Sequence, residues 1–201
     1  MANLRTNNLS GEQGQNAYRG SVQFLGGYDA LVIPASSDFA YGTGDFTIEA
    51  WIWKDARPAT GETRGIFTQT QAGNDYIVFK VGSTNNIQAT FGSTTISTTE
   101  TLAVDSWNHV AVSRSSNTIK VFLNGIASSG STVSTDFSDT TRNPTIGNYT
   151  HSYGSLPYYG YISNLRVTKG EALYTADFTP PTTELTADAN TVLLCLSLIH
   201  I

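Results

Sequence analysis

A chain of 201 residues has the length of one sandwich- or barrel-type domain, or of two small ones. Its single cysteine excludes an internal disulfide and a cysteine zinc site, and its formal net charge of −5 argues against nucleic acid, whose binders carry basic patches. No apolar run approaches the ~20 residues that span a bilayer as a helix, so no membrane partner is expected.

Only 13% of the residues are charged, and 28 Thr and 20 Ser supply the polarity instead. Helix formers are scarce, with 4 Lys, 6 Glu and 1 Met, while Thr, Tyr, Phe and Val are plentiful, which is strand composition. In chain order, residues 1–19 read as a polar lead-in without the apolar h-region of a signal peptide. Periodicity then predicts strands over 21–25, 29–33, 45–53, 64–69, 75–81, 86–92, 107–114, 118–123, 144–147, 158–168 and 191–196, separated by Gly, Ser, Asn, Asp and Pro. In 45–53, alternation puts Phe46, Ile48, Ala50 and Ile52 on one face, and Thr47, Glu49, Trp51 and Trp53 on the other. Both faces carry bulk, as in a strand covered by a core on one side and by a concave groove or loops on the other. Asn124-Gly125 after 118–123 predicts a type I′ hairpin returning through 126–129, because both central residues need positive φ. Residues 128–141 read as a surface loop or weak edge strand, and Glu171–Thr175 as a single helical turn. Many short strands with no long helix between them predict an all-β fold, an antiparallel two-sheet β-sandwich over residues 20–195. The end, Leu196-Ser197-Leu198-Ile199-His200-Ile201, is what CTG TCT CTT ATA CAC ATC encodes. That string resembles the transposase end sequence used in preparing sequencing libraries. Residues 196–201 are therefore expected to be a non-native tail, with the natural chain continuing past Cys195.

Four segments stand in a specific order: FLGGYDALVIPASSDFAYGTGDFTIEAWIW, SWNHVAVSRSSNTIKVFLNG, TIGNYT and GYISNLRVTKGEALYTADFTPP. Together they resemble the laminin-G-like branch of the concanavalin A-like lectin/glucanase superfamily, in the version found in marine bacteriophage tail and other virion-surface proteins. The resemblance implies a jelly roll serving in adhesion or carbohydrate recognition. It places the family's W-x-H-V-A-V strand at Trp107 to Val112 and its F-T-I-E-x-W strand at Phe46 to Trp51, both framework positions. A family turn, D-G-S-G-D-Y-L, stands here altered as Leu25 to Leu31 and keeps Asp29. The resemblance also implies a structural Ca²⁺ held through an Asp of the penultimate strand. Ser163 occupies the matching position, so Asp29 is the one candidate metal ligand. Glucanases of the superfamily cluster their carboxylates on one strand. Here the only acidic pair on a strand is Asp45 and Glu49, which a spacing of four residues separates by roughly 13 Å, too far for either hydrolytic geometry. Glu49 then reads as a framework acid bonding a neighbouring strand or an Arg, and His109 as a satisfied core histidine.

No nucleophile, metalloprotease, phosphate-loop or dinucleotide motif is present, and no enzyme activity is expected. The most ligand-like segment is 147–161, GNYTHSYGSLPYYGY, where Tyr149, Tyr153, Tyr158 and His151 are the candidate contacts; phenol rings offer a flat face to a sugar's C–H groups and a hydroxyl to its oxygens. Tyr159 and Tyr161 alternate with Ile162 and are expected to pack inward or cover an edge. The loop 71–76 adds Asn74 and Asp75. The expected function is a non-catalytic module binding a glycan or host cell-surface polysaccharide on a virion or other extracellular surface. The alternatives are a structural decoration or oligomerisation domain with no glycan ligand and, third, a glycoside hydrolase-related domain. A homo-oligomer stays open.

Overall fold

The computed structural model describes residues 20–56, 62–71, 74–149 and 156–195, with the backbone of Asn3–Leu4. In chain order the strands are β1 (Asn3–Leu4), β2 (Val22–Leu25), β3 (Leu31–Val32), β4 (Phe46–Lys54), β5 (Arg64–Gln71), β6 (Asn74–Val81), β7 (Asn86–Phe91), β8 (Thr94–Thr101), β9 (Trp107–Ser115), β10 (Thr118–Leu123), β11 (Ile126–Ala127), β12 (Ser131–Thr132), β13 (Thr145–Ile146), β14 (Tyr159–Lys169) and β15 (Thr191–Cys195). They form the two-sheet antiparallel sandwich that alternation predicts, and the jelly roll that the resemblance implies. A nine-stranded sheet runs β1-β2-β14-β4-β9-β10-β11, with β12 also on β10 and β15 on β14. A six-stranded sheet runs β3-β13-β5-β6-β7-β8. The tail 196–201 lies outside the described residues.

The core lies between the sheets. Phe46, Ile48, Ala50 and Ile52 of β4 are fully buried there, beside Val110 and Val112 of β9 and Ile119 and Val121 of β10. Phe46 is the hub of an aromatic cluster at one end, with ring centroids 4.9 Å from Tyr41 and 6.0 Å from Phe137. Arg114 closes that end. It is fully buried, and its guanidinium donates to the carbonyls of Gly42, Thr135 and Val133 and to Asn117 Oδ1 (2.6 Å).

Two elements differ from expectation. β8 is an additional strand: its sequence, TTISTTET, turns only Ile96 and Thr98 inward, so hydroxyls hide its alternation. Glu171–Thr175 is not helical. It begins a segment, 171–188, that crosses the outer face of the large sheet, and among the described residues the helical turn is instead a 3₁₀ turn at Ser37–Phe39.

The Asn124-Gly125 hairpin forms as predicted, with φ of +50° and +84° and Leu123 opposite Ile126. Gly125 meets a second demand. The Phe178 N–H donates to its carbonyl (2.9 Å), and a Cβ on Gly125 would stand 1.9 Å from the Phe178 carbonyl oxygen. Gly125→Ala is expected to destabilise the fold by about 1–3 kcal/mol, from left-handed strain plus displacement of the crossing segment. Urea unfolding midpoints of the two proteins check this.

Candidate functional site

The outer face of the large sheet is divided into two regions. One is sealed. Across it the register aligns Arg166 of β14, Glu49 of β4, Ala111 of β9 and Phe122 of β10. Segment 171–188 lies on top. Tyr174 and Phe178 stack face to face at 3.7 Å, and both pack on Phe122 and on the His109 ring. Hydrogen bonds fasten the cover: the Leu173 N–H donates to Thr47 Oγ1 (2.9 Å) and Lys120 Nζ to the Thr175 carbonyl (2.9 Å).

Glu49 is the polar centre of this region and is fully buried. Arg166 donates to its Oε1 through Nε (2.8 Å) and a terminal nitrogen (2.6 Å), while the Tyr174 hydroxyl (2.7 Å) and His109 Nε2 (3.0 Å) meet Oε2. The His109 Nε2 therefore carries a proton toward Oε2, and Nδ1 is buried with no hydrogen-bond partner among the described residues. Burial is the largest effect on Glu49 and would raise its carboxyl. The hydrogen bond and charge of His109, the charge of Arg166 and the Tyr174 hydroxyl outweigh it and hold the group below its ordinary value. Glu49 is thus the framework acid the sequence implies. Its partner in the spacing argument, Asp45, accepts from the Ser116 N–H instead (2.9 Å).

Because the folded value of Glu49 lies below the unfolded one, its stabilisation is complete above the ordinary glutamate value of 4.5 and is lost as pH falls through the folded value. Glu49→Gln is expected to cost about 3 kcal/mol at neutral pH, the low end for a buried pair, since a partly buried Arg166 loses its counter-charge. It should also flatten the stability loss below pH ~4.5. Denaturant titrations across pH check both.

The other region of the face is open. Here the register aligns Gln23 of β2, Tyr161 of β14, Trp53 of β4 and Trp107 of β9, all partly exposed. The indoles of Trp53 and Trp107 meet at 75° with centroids 6.0 Å apart, forming a corner rather than a flat shelf. A cleft of about 420 Å³ opens against this row. Trp53, Tyr159 and Tyr161 line it with rings, Gln23 adds an amide, and Asp55 and Asp105 add carboxylates from the ends of two loops. Asp105 Oδ1 accepts from the Ala56 N–H (3.2 Å) and its own N–H donates to the Lys54 carbonyl (2.9 Å), which ties the two loops together. Gly160 sits between the two tyrosines at φ +136°, and a Cβ there would stand 1.9 Å from the Trp53 carbonyl. Tyr159 is wedged between the Arg64 guanidinium, 4.8 Å from its ring centre, and the backbone of Gly26.

Of the candidate residues singled out from the sequence, the described ones, Asp29, Tyr149 and Tyr158, are not among the residues lining this cleft. Asp29 builds its wall: Oδ2 accepts from the Leu25 N–H (2.9 Å), and this bond is the main reason its carboxyl lies below the usual range. Ser163 is fully buried and donates to the Gly20 carbonyl, and among the described residues no three His, Cys, Asp or Glu side chains converge. Tyr158, expected to touch a ligand, is a correction: it is fully buried, edge-on to Phe24 at 6.2 Å, because strand alternation turns it inward while Tyr159 and Tyr161 turn outward. Tyr159 and Tyr161, expected inward or at an edge, line the cleft instead. Tyr149 is half-buried at the root of the tyrosine loop, where Asn148 Oδ1 accepts from the Tyr149 and Leu156 N–H groups and Asn148 Nδ2 donates to the Gly27 carbonyl (3.0 Å). That anchors the loop to the turn following Leu25. His151 and Tyr153 lie outside the described residues, as do the side chains of Asn74 and Asp75, whose backbone opens β6. The Tyr158 hydroxyl has no hydrogen-bond partner among the described residues, and burial pushes its phenol well up. Tyr158→Phe should therefore be neutral or stabilise by up to about 1 kcal/mol, measured by thermal unfolding.

The fold and the two-part face define a lectin-like sandwich. A family model described as the concanavalin A-like lectin/glucanases superfamily, of laminin G type, matches residues 25–175, and the chain belongs to this family. No curated protein matches the chain in sequence. Among solved structures it is similar to a Bacteroides ovatus protein provisionally named as carbohydrate-binding, at 19% identity and a TM-score of 0.66, over 88% of this chain and 51% of that one. A Trypanosoma rangeli sialidase matches at 18% identity and a TM-score of 0.58, over 79% of this chain and 27% of the sialidase. Domain 4 of the extracellular arabinanase AbnA from Geobacillus stearothermophilus, solved with arabinotriose, matches at 18% identity and a TM-score of 0.57, over 85% of this chain and 83% of that domain. At these identities the likeness is one of fold. The chain spans about half of the Bacteroides protein and about a quarter of the sialidase.

Proposed function

We propose that this chain is a non-catalytic carbohydrate-binding and adhesion module, and that its glycan sits in the cleft at Trp53 and Tyr161. The observation that carries this reading is the meeting of three partly exposed rings with an amide and two carboxylates around one open space. Rings cover the C–H faces of a sugar, and the polar groups fix its hydroxyls. The names of the Bacteroides protein and the arabinanase domain support the same ligand class. The order of motifs along the chain supports the finer placement, on a virion or other extracellular surface facing a host polysaccharide.

A second reading, an assembly or decoration domain, draws on the exposed apolar side chains Leu25, Tyr28 and Val32 near β2 and β3, of which Tyr28 is 97% exposed. Glycan-array binding by the protein, followed by calorimetry on the best ligand, separates the two. Trp53→Ala should weaken binding about tenfold or more, equivalent to ~1.4 kcal/mol or above, with the far-ultraviolet dichroism unchanged. No reducing ends should be released on prolonged incubation. Array silence together with a concentration-dependent oligomer would favour assembly, and sugar release lost in Asp55→Asn or Asp105→Asn would show a hydrolase.

A further inference from the structure

Resting on the reading of the cleft as a glycan site, the side chains at its β2 end point to the class of sugar. We infer that the cleft recognises an N-acetylated amino sugar, with the acetamido group seated at Gln23 and Leu25. These two residues stand two apart on β2, and the burial of Val22 and Phe24 fixes the phase that turns both outward. In the register Tyr161 lies opposite Gln23, and Tyr159 opposite Leu25. Directly opposed residues of antiparallel strands are about 4.5–5.5 Å apart, and residues two apart on one strand roughly 7 Å. The four side chains are therefore the corners of one patch: an amide beside a phenol in one row, an aliphatic group beside a phenol in the next. All four line the cleft.

An acetamido group matches this patch in both of its parts. It joins an N–H donor and a carbonyl acceptor to a methyl group. The Gln23 carboxamide answers the polar part, since it accepts through its oxygen and donates through its nitrogen. Leu25 answers the methyl. It is 52% exposed and is the one aliphatic side chain among the described lining residues, with the Tyr159 ring beside it. A hydroxyl in the same place would cover Leu25 with a polar group, and a deoxy-sugar methyl would meet Leu25 but not the amide. With the acetamido group at the β2 end, the sugar ring that carries it falls over Tyr161 and Trp53, the next positions in the row. Their ring faces suit its C–H groups. Covering one methyl and closing one or two hydrogen bonds corresponds to about tenfold in affinity.

The test compares, by calorimetry on the intact protein, pairs that differ in the acetamido group: N-acetyllactosamine against lactose, and tri-N-acetylchitotriose against cellotriose. The acetylated member should bind about tenfold more tightly or better. In saturation-transfer NMR its acetyl methyl protons should receive the strongest saturation. Leu25→Ser and Gln23→Ala should each shrink the preference, and together bring it toward parity, with the far-ultraviolet dichroism unchanged. Trp53→Ala should instead weaken both members of a pair. Equal binding of the two members overturns the inference and leaves the glycan site standing. So does a preference that survives the double variant, or binding confined to glycans without an acetamido group. Silence of the protein toward every glycan on the array removes the glycan reading and this inference with it.

Discussion

A carboxylate placed on the solvent side of a sheet and then taken wholly out of water is the constraint around which this fold is arranged. Glu49 points away from the core, yet it is fully buried. An ionised group in that position must be met from every side, because its desolvation costs several kcal/mol. The sheet supplies two of the partners, His109 from β9 and Arg166 from β14, but both lie beside the carboxylate. The cover from above has to come from elsewhere in the chain, and segment 171–188 supplies it with the Tyr174 hydroxyl. Ala111, next to Glu49 in the register, is small enough to leave room for the Tyr174–Phe178 stack. One buried charge thus decides how far the cover reaches, and with it which part of the face remains open.

The same strand, β14, serves both regions, and it does so by changing phase. Tyr159, Tyr161 and Ser163 face outward, yet so does Arg166, which an unbroken alternation would turn into the core. A bulge resolves the conflict: Ser163 pairs with Trp51 and Arg166 with Glu49, three steps on one strand against two on the other. Asn164 takes the extra position at φ +48°, and its Oδ1 accepts from the Leu185 N–H of the crossing segment (3.2 Å). The bulge keeps Ile162, Leu165 and Val167 in the core while both outward sets keep their places. The device that shifts the phase is also pinned by the cover, so the sealed region and the cleft are set by one piece of backbone geometry.

Much of this was legible in the residues. Alternation in 45–53 separates the core row from Glu49, Trp51 and Trp53, and Asn124-Gly125 marks its turn without ambiguity. The phase change of β14 is also written in the sequence, as the odd step from Ile162 to Leu165, but it has meaning only once β4 is known to lie alongside. The cleft was not legible for a related reason. Gln23, Tyr161, Trp53 and Trp107 become neighbours through the pairing of four strands, and Asp55 and Asp105 meet from loops fifty residues apart in the chain. The density of tyrosines in 147–161 drew attention to rings beside the cleft, but density along a chain ignores parity, and a shift of one residue separates buried Tyr158 from partly exposed Tyr159. β8 escaped because threonine is at home on either side of a strand, so its alternation has no contrast.

The two regions touch at Trp51. It sits on β4 between Glu49 and Trp53, and its ring meets His109 edge-on at 5.3 Å. The cleft therefore rests on side chains that are already held: Trp53 by its neighbours on β9 and β14, Tyr159 between Arg64 and Gly26, and Asp105 by the N–H of Ala56. Rings fixed before a ligand arrives lose little rotamer freedom when it binds, and a shallow site gains affinity chiefly by avoiding that loss. A buried acid with a fastened cover stabilises the fold less than a well-packed apolar patch could. Here it ties β4, β9 and β14 to the crossing segment, in the part of the sheet that adjoins the open cleft.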